Sequence, residues 1–304
     1  MSQPQAYLNG RFVPAAEATV SVTDGGFVQG TTVAEQLRTF GGRLFRLRPH
    51  LERLGHSLAI VGVEPRPTLD QLASAAEALA AHNHALVAPG DDIGLVIFVT
   101  PGPYAPMVAG GHEGPTVGMH TFPLRFALWA GKYETGQALA TTDVAQVPAA
   151  CWPSALKCRS RMHYYLADRQ AHQRHPGSRA VMLDADGFVT ETTTANIVLY
   201  NERSGLSTPP RHKVLPGISL AALAEIAGSL GMTIAERDLT PDDLAGADEV
   251  LLTATSHCML PVVELNGRAL GGGRPGPVFG RLIQAWGAAV GVDIVVQAKQ
   301  FAGR

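Results

Sequence analysis

Cysteine is scarce in this chain: Cys151, Cys158 and Cys258 are the only three in 304 residues. An odd number in a long chain, without the spacing of a disulfide scaffold, argues against such a scaffold and fits a reducing compartment. Charge of one sign is lacking too. With 24 Lys and Arg against 26 Asp and Glu the formal charge is -2, so no long-range field gathers nucleic acid or an anionic membrane, and any anion has to be recognised locally. No uninterrupted apolar run reaches the roughly 18 residues of a membrane span, and the N-terminal MSQPQAYLNGRF holds no segment of signal-peptide character. A cytoplasmic location, without nucleic-acid or membrane partners, is the expectation. Internal repeats are absent, as is a Ser-His-Asp order. GGGRPGP lacks the Lys-Ser/Thr ending of a P-loop, and His82 and His84 lack a third ligand nearby in sequence, so no metal is assigned.

What is present is a hydrophobic content of 46% over a length that accommodates two domains. AYLNGRFV and VAEQLRTF read as strands, with Asn9-Gly10 and Gly41-Gly42 as hairpin turns. Pro49 reads as the first residue of a helix whose Leu51, Leu54 and Leu58 share one face. Thr68 and Gln71 have the spacing of a capping box for a second helix bearing Leu69, Leu72, Ala76 and Leu79. IGLVIFVT and TVGMHTF read as strands, and the Pro and Gly punctuation that follows marks residues 123–135 as a linker. The expected organisation is therefore a smaller N-terminal α/β domain over 1–122 and a larger domain over 136–304. In the latter, RMHYYLADRQAHQRH is a helix, Asp186-Gly187 a hairpin turn, IVLY and EVLLT strands, and Gly217 to Gly231 a helix with its glycine stop. Thr240-Pro241 opens another helix, and VVELNGRAL makes a further Asn-Gly hairpin.

Four groups of residues carry chemical meaning. Lys157, in ALKCRSRMHYY, has apolar neighbours whose packing would depress an ammonium pKa and favour a nucleophilic amine. Taken alone it reads more often as a partly exposed lysine at a helix start. Glu191 opens the polar run ETTTAN between apolar strands, which lines either a polar pocket or a solvated strand edge. A carboxylate held against a pyridine nitrogen keeps that ring protonated, so a lysine and a glutamate in this order suit pyridoxal phosphate. LPGISL puts Ile218 and Ser219 at a helix N-terminus, where backbone N–H groups favour a phosphate or serve simple capping. LLTATSHC offers Ala254 and Thr255 in a second polar turn, and Arg53 is either a fixed cation or a snorkelling surface arginine.

On these residues the chain resembles the class IV aminotransferase family, the fold type IV pyridoxal phosphate enzymes that include branched-chain and D-amino acid aminotransferases and aminodeoxychorismate lyase. NGRFVP, FRLRPHLERL, LKCRSRMHYYLADRQA, DADGFVTETTTANI, LPGISL and LLTATSHCMLPV carry the resemblance through nearly the whole chain. It implies an α/β fold of α+β type in two domains, the larger with a barrel-like β core, and pyridoxal 5'-phosphate as cofactor. By position in the motifs, Lys157 resembles the internal-aldimine lysine, Glu191 the partner of the pyridine nitrogen, and Arg53 the phosphate-binding arginine. Ile218, Ser219, Ala254 and Thr255 match the two phosphate-gripping turns. The implied function is transfer of an amino group from an amino acid, a branched-chain one or glutamate, to a 2-oxo acid, in a homodimer. Two alternatives stand beside it: an aminodeoxychorismate lyase releasing pyruvate and 4-aminobenzoate, and a cofactor-binding protein without turnover. The departures lie where the family selects substrate. Met162 stands where branched-chain enzymes have a tyrosine five residues after the lysine, with Tyr164 or Tyr165 as substitutes. Ala34 and Pro101 replace the tyrosine and arginine of D-amino acid enzymes, which argues against D-specificity. Ser160 and Arg161 have the texture of the lyases, and substrate choice is expected in residues 28–40 and 101–115.

Overall fold

A computed structural model describes residues 3–109 and 114–303. Of the stretch 101–115, residues 110–113 thus lie outside the described residues. The chain divides into two compact units, Met1–Leu124 with Leu156–Ser160, and Arg125–Ala155 with Arg161–Arg304.

In the first unit the helices are α1 (Gly25–Val28), α2 (Leu47–Val61) and α3 (Leu69–His84). The strands are β1 (Gln5–Leu8), β2 (Arg11–Pro14), β3 (Val33–Phe40), β4 (Arg43–Leu44), β5 (Ile93–Thr100) and β6 (Thr116–Pro123). They form one antiparallel sheet in the order β2-β1-β6-β5-β3-β4. Asn9-Gly10 and Gly41-Gly42 take positive φ at both turn positions, the requirement of a two-residue hairpin that keeps the strand twist. Thr68 caps α3, with its hydroxyl accepting from the Gln71 N–H and the Gln71 side chain accepting from the Thr68 N–H. The start of α2 is two residues earlier than Pro49 suggests. Arg46, left-handed at φ 53°, swings the chain into a helix beginning at Leu47, and Pro49 sits in the first turn, where its missing N–H costs nothing. Leu51, Leu54 and Leu58 of α2 and Leu72, Ala76 and Leu79 of α3 then pack on Leu37, Leu95 and Ile97 of the sheet.

In the second unit the helices are α4 (Lys132–Thr135), α5 (Met162–Arg174), α6 (Ile218–Ser229), α7 (Pro241–Ala245), α8 (Pro277–Val290) and α9 (Ile294–Gln300). The strands are β7 (Gln137–Thr141), β8 (Arg179–Leu183), β9 (Val189–Thr192), β10 (Asn196–Asn201), β11 (Gly205–Thr208), β12 (Ile234–Glu236), β13 (Glu249–Ala254), β14 (Cys258–Leu265) and β15 (Arg268–Ala269). The sheet runs β12-β11-β10-β13-β14-β7-β8-β9, and β9 also pairs with β10. That extra pairing closes six strands into a ring, the barrel-like core of the fold. It is made at one register position, Asn196 opposite Glu191.

Two features differ from the sequence reading. Residues 123–135 are not an open linker: they contain a 3-10 turn and α4, and Phe126, Trp129, Ala130 and Tyr133 are buried. Residues 156–160 belong with the first unit, although their neighbours on both sides belong to the second. Among the described residues no single helix is long and apolar enough to cross a membrane. Together α8 and α9 satisfy length and composition but bend by 84°, and α8 buries Phe279, Leu282, Ile283 and Trp286 as a core helix does.

Candidate active site

Lys157 lies in an extended segment, not at a helix start. Its carbonyl accepts from the Ala34 N–H at 3.1 Å, the Arg159 N–H donates to the Thr32 carbonyl at 2.8 Å, and Cys158 bridges Val33 antiparallel. The segment covers the first residues of β3, which β4 reaches only at Thr39 and Phe40. On its other side the Lys157 N–H donates to the Ser57 hydroxyl at 3.1 Å. Ser57 is buried one turn of α2 beyond Arg53, so one helix face bears on the backbone of the lysine and on Glu35 of β3.

Glu35 is the hub of that face. Arg53 donates from Nε and Nη2 to its two carboxylate oxygens at 2.8 and 2.7 Å, a bidentate ion pair, and His50 Nδ1 lies 2.7 Å from Oε2. Burial pushes the Glu35 carboxyl up, but the Arg53 and His50 hydrogen bonds outweigh it and hold the group down at about 2. His50 is lowered, chiefly by burial. A neutral imidazole donating from Nδ1 to an ionised Glu35 satisfies both shifts. Arg53 is thus a buried, oriented cation, and the snorkelling alternative is excluded by its 9% exposure.

In the second unit Glu191 sits on β9 at the closure of the ring. Across the ladder its row continues through Asn196 on β10 to Thr253 on β13 and Met259 on β14. Its Oε1 accepts from the Tyr164 hydroxyl at 2.7 Å and from Gln146 Nε2 at 3.0 Å. Among the described residues its Oε2 has only long contacts, Leu215 N–H at 3.4 Å and Asn196 Nδ2 at 3.5 Å. Burial raises the Glu191 pKa against the pull of these donors and of the Arg161 charge. Burial and the carboxylate also raise Tyr164, which therefore stays a protonated donor. Tyr164 is the residue of the pair Tyr164 and Tyr165 that reaches the site. Tyr165 and Met162 are both about two-thirds exposed.

The turns expected to grip a phosphate both lie beside the start of β10: Asn196 pairs with Thr253 at the end of β13, and its side chain lies against Gly217 at the start of α6. Gly217 is the N-cap of α6 and supplies no side-chain cap, so the N–H groups of the first turn have no side-chain capping acceptor. A Cβ at Gly217 would lie 1.9 Å from Asn196 Oδ1, so any larger residue there would have to push the Asn196 side chain aside. Ala254 ends β13, Thr255 enters the turn to β14, and the neighbouring Thr253 Oγ1 is buried with no hydrogen-bond partner among the described residues. Such an orphaned donor marks a place for an acceptor. Gln146, His50 and Ser57 have no signature in the sequence reading. His50 and Arg53 do share an i, i+3 spacing on the leucine-bearing helix, a signal for one buried polar stripe.

A family model described as class IV amino-transferase matches residues 32–265. The chain belongs to the class IV aminotransferases. Among its relatives is a putative branched-chain-amino-acid aminotransferase of Methanocaldococcus jannaschii, 30% identical over 91% of this chain and 93% of that protein. A D-alanine aminotransferase of Bacillus licheniformis is 29% identical over 89% and 91%. The crystal structure of the Escherichia coli branched-chain amino acid aminotransferase superposes with a TM-score of 0.86, at 26% identity, over 94% of each chain. This class IV aminotransferase is accordingly an enzyme with a fold type IV architecture, and the transaminase names of its relatives do not favour the lyase alternative.

Proposed function

We propose that this enzyme is a pyridoxal phosphate-dependent aminotransferase that moves an amino group from an amino acid, branched-chain or glutamate, to a 2-oxo acid. The observation that carries the reading is the donor set around Glu191. All four neighbours of its carboxylate are donors, and the oxygen on the Asn196 side receives only weak ones. A buried carboxylate in that state fits a cationic ring N–H, which supplies the opposite charge that burial demands. The uncapped start of α6 and the orphaned Thr253 hydroxyl fit a phosphate in the same way.

Bound there, pyridoxal phosphate supplies an electron sink that acidifies the Cα–H of an amino acid joined to it. The chain's own residues then divide the work. Lys157 is the amine that holds the cofactor and whose Nζ takes the proton from Cα and returns it. Glu191 keeps the ring nitrogen protonated. Ile218, Ser219, Ala254 and Thr255 hold the phosphate by backbone and hydroxyl donors, with Arg53 as its cation. The segment's bonds to β3 and Ser57 fix the lysine backbone, so that proton transfer is positioned. Ala34 and Pro101 in place of a tyrosine and an arginine support an L-amino acid donor. A homodimer in a reducing, cytoplasmic compartment completes the proposal; light scattering on purified protein tests the dimer.

The deciding experiment mixes the holoenzyme with single donors, L-leucine, L-glutamate and D-alanine, and follows loss of the visible cofactor band. Bleaching by an L-donor, restored by a 2-oxo acid, is expected. Pyruvate release from aminodeoxychorismate with no amine transfer would overturn the transaminase reading, and a band that no donor bleaches would point to binding without turnover. Lys157→Ala is expected to abolish the borohydride-trappable adduct. A variant that keeps the adduct would remove Lys157 from its role.

A further inference from the structure

The donors on Glu191 form a closed arrangement. Gln146 Nε2 reaches both the Tyr164 hydroxyl oxygen, at 3.2 Å, and Glu191 Oε1, at 3.0 Å. Gln146 Oε1 accepts from the Val147 N–H at 3.2 Å, which fixes the amide so that Nε2 can only donate. With Tyr164 accepting from Gln146, the phenolic hydrogen has one remaining direction, toward Glu191 Oε1. On the other oxygen, Asn196 Nδ2 is likewise fixed as a donor by its 2.9 Å bond to the Leu215 carbonyl. The three nitrogen neighbours cannot accept a proton from a neutral Glu191, and the Tyr164 oxygen could do so only by turning its own hydrogen away from the carboxylate. The arrangement is built for the anion, and it occupies Oε1 while leaving Oε2 underused.

We infer that Tyr164 and Gln146 are positioning residues that hold Glu191 ionised and reserve its Oε2 for the ring N–H of the bound cofactor. This rests on the proposed reading of Glu191 as the ring's partner. Neither residue touches reacting atoms; both act through the carboxylate. Tyr164 is itself held by the stacking of Arg161 over its ring at 4.7 Å and by the His163 ring at 3.9 Å. Arg161 in turn donates to the Thr193 carbonyl. Arg161 and Tyr164 are the ionisable groups that act on Glu191 within this unit.

The test is nitrogen NMR of holoenzyme loaded with pyridoxal phosphate labelled with 15N in the ring, titrated in wild type, Tyr164→Phe, Gln146→Leu and Glu191→Gln. A hydrogen bond to a charged group is worth enough to move the ring-nitrogen midpoint down by about one pH unit in Tyr164→Phe. A smaller fall is expected in Gln146→Leu, and loss of ring protonation near neutrality in Glu191→Gln. A purely structural role would lower melting temperature without moving that midpoint. Phenylalanine preserves the stacked ring, and Gln146→Leu, on a separate segment, gives an independent readout should Tyr164→Phe not fold. If both variants titrate like wild type while Glu191→Gln does not, the inference falls and the reading of Glu191 stands. If Glu191→Gln also keeps the ring protonated, both fall.

Discussion

At the scale of single residues the site depends on close approaches that only one side chain satisfies. Gly217 is the sharpest case, because a Cβ there would drive into Asn196 Oδ1 at 1.9 Å. Asn196 is also the partner of Glu191 in the pair that closes the ring. Gly217→Ala therefore has to displace either the start of α6 or the Asn196 side chain, with its bond to the Leu215 carbonyl, and forced overpacking of this kind costs about 1–3 kcal/mol. If part of that cost falls on the bound state, the dissociation constant for pyridoxal phosphate rises by about tenfold or more. Titrating apoprotein with cofactor measures it. Affinity equal to wild type would mean that the Gly217 turn does not contribute to holding the phosphate. Gly228, in the body of the same helix, has no neighbour within 4 Å of a Cβ, and Gly228→Ala serves as the control that leaves affinity unchanged.

At the scale of elements, the lysine segment behaves as a short extra strand on the open part of β3, tied on its far side to α2 through Ser57. Removing that hydroxyl takes one hydrogen bond, the 3.1 Å bond to Ser57, from the Lys157 N–H, at a cost of about 1 kcal/mol. Ser57→Ala is expected to speed hydrogen exchange at the Lys157 amide about fivefold, and unchanged exchange would show that β3 alone holds the segment. This element illustrates what a sequence conveys and what it withholds. The hairpins at Asn9-Gly10, Asp186-Gly187 and Asn266-Gly267, the capping box at Thr68 and the helix start at Thr240-Pro241 are legible because each is decided by residues within four positions. Strands β3 and β5 match VAEQLRTF and IGLVIFVT for the same reason: their apolar content is local. The pairing of Lys157 with Ala34 joins residues more than a hundred positions apart through a polar stretch, CRS, with no strand periodicity. The Glu191 donors come from four separate segments, and Gln146 sits in an irregular stretch with no pattern at all. Residues 123–135 mislead because Pro and Gly mark turns, while the burial of Phe126, Trp129 and Tyr133 depends on partners elsewhere, Phe301 of the C-terminal end among them. Helices α8 and α9 were hidden behind the glycine-rich turn that precedes them.

At the scale of the whole molecule the buried carboxylates Glu35 and Glu191, one in each unit, respond oppositely to acid, while His163 of the second unit, lowered chiefly by burial, shares the direction of His50. In the first, the Glu35 carboxyl is held at about 2 against an ordinary 4.5, and His50 is lowered from 6.5. For both groups the unfolded chain binds more protons than the folded one between the two pKa values. The His50 contribution is therefore lost as pH falls through 6.5, and that of Glu35 as it falls from 4.5 toward 2. By pH 3 the Glu35 loss is about 2 kcal/mol, a protection change of about thirtyfold. In the second unit the buried Glu191 is raised, so in the cofactor-free protein acid relieves a buried charge, and its contribution to stability rises as pH falls through the raised value. The lowered carboxylates of that unit, Asp184, Glu236 and Asp243, are partly solvated ion pairs whose effects solvent screens to a fraction of a kcal/mol. Hydrogen exchange on the apoprotein between pH 7 and pH 3, expressed as protection factors, is expected to show α2 and β3 loosening while β10 and β13 hold. Glu35→Gln separates this from general acid unfolding. It removes the carboxylate that titrates, leaves Arg53 buried without its counter-charge, and so destabilises the first unit by about 3 kcal/mol at pH 7 while flattening its pH dependence below 4.5. A variant that loosens with acid as steeply as wild type, or a wild type whose two units lose protection together, would show that the Glu35 hub does not govern the acid response.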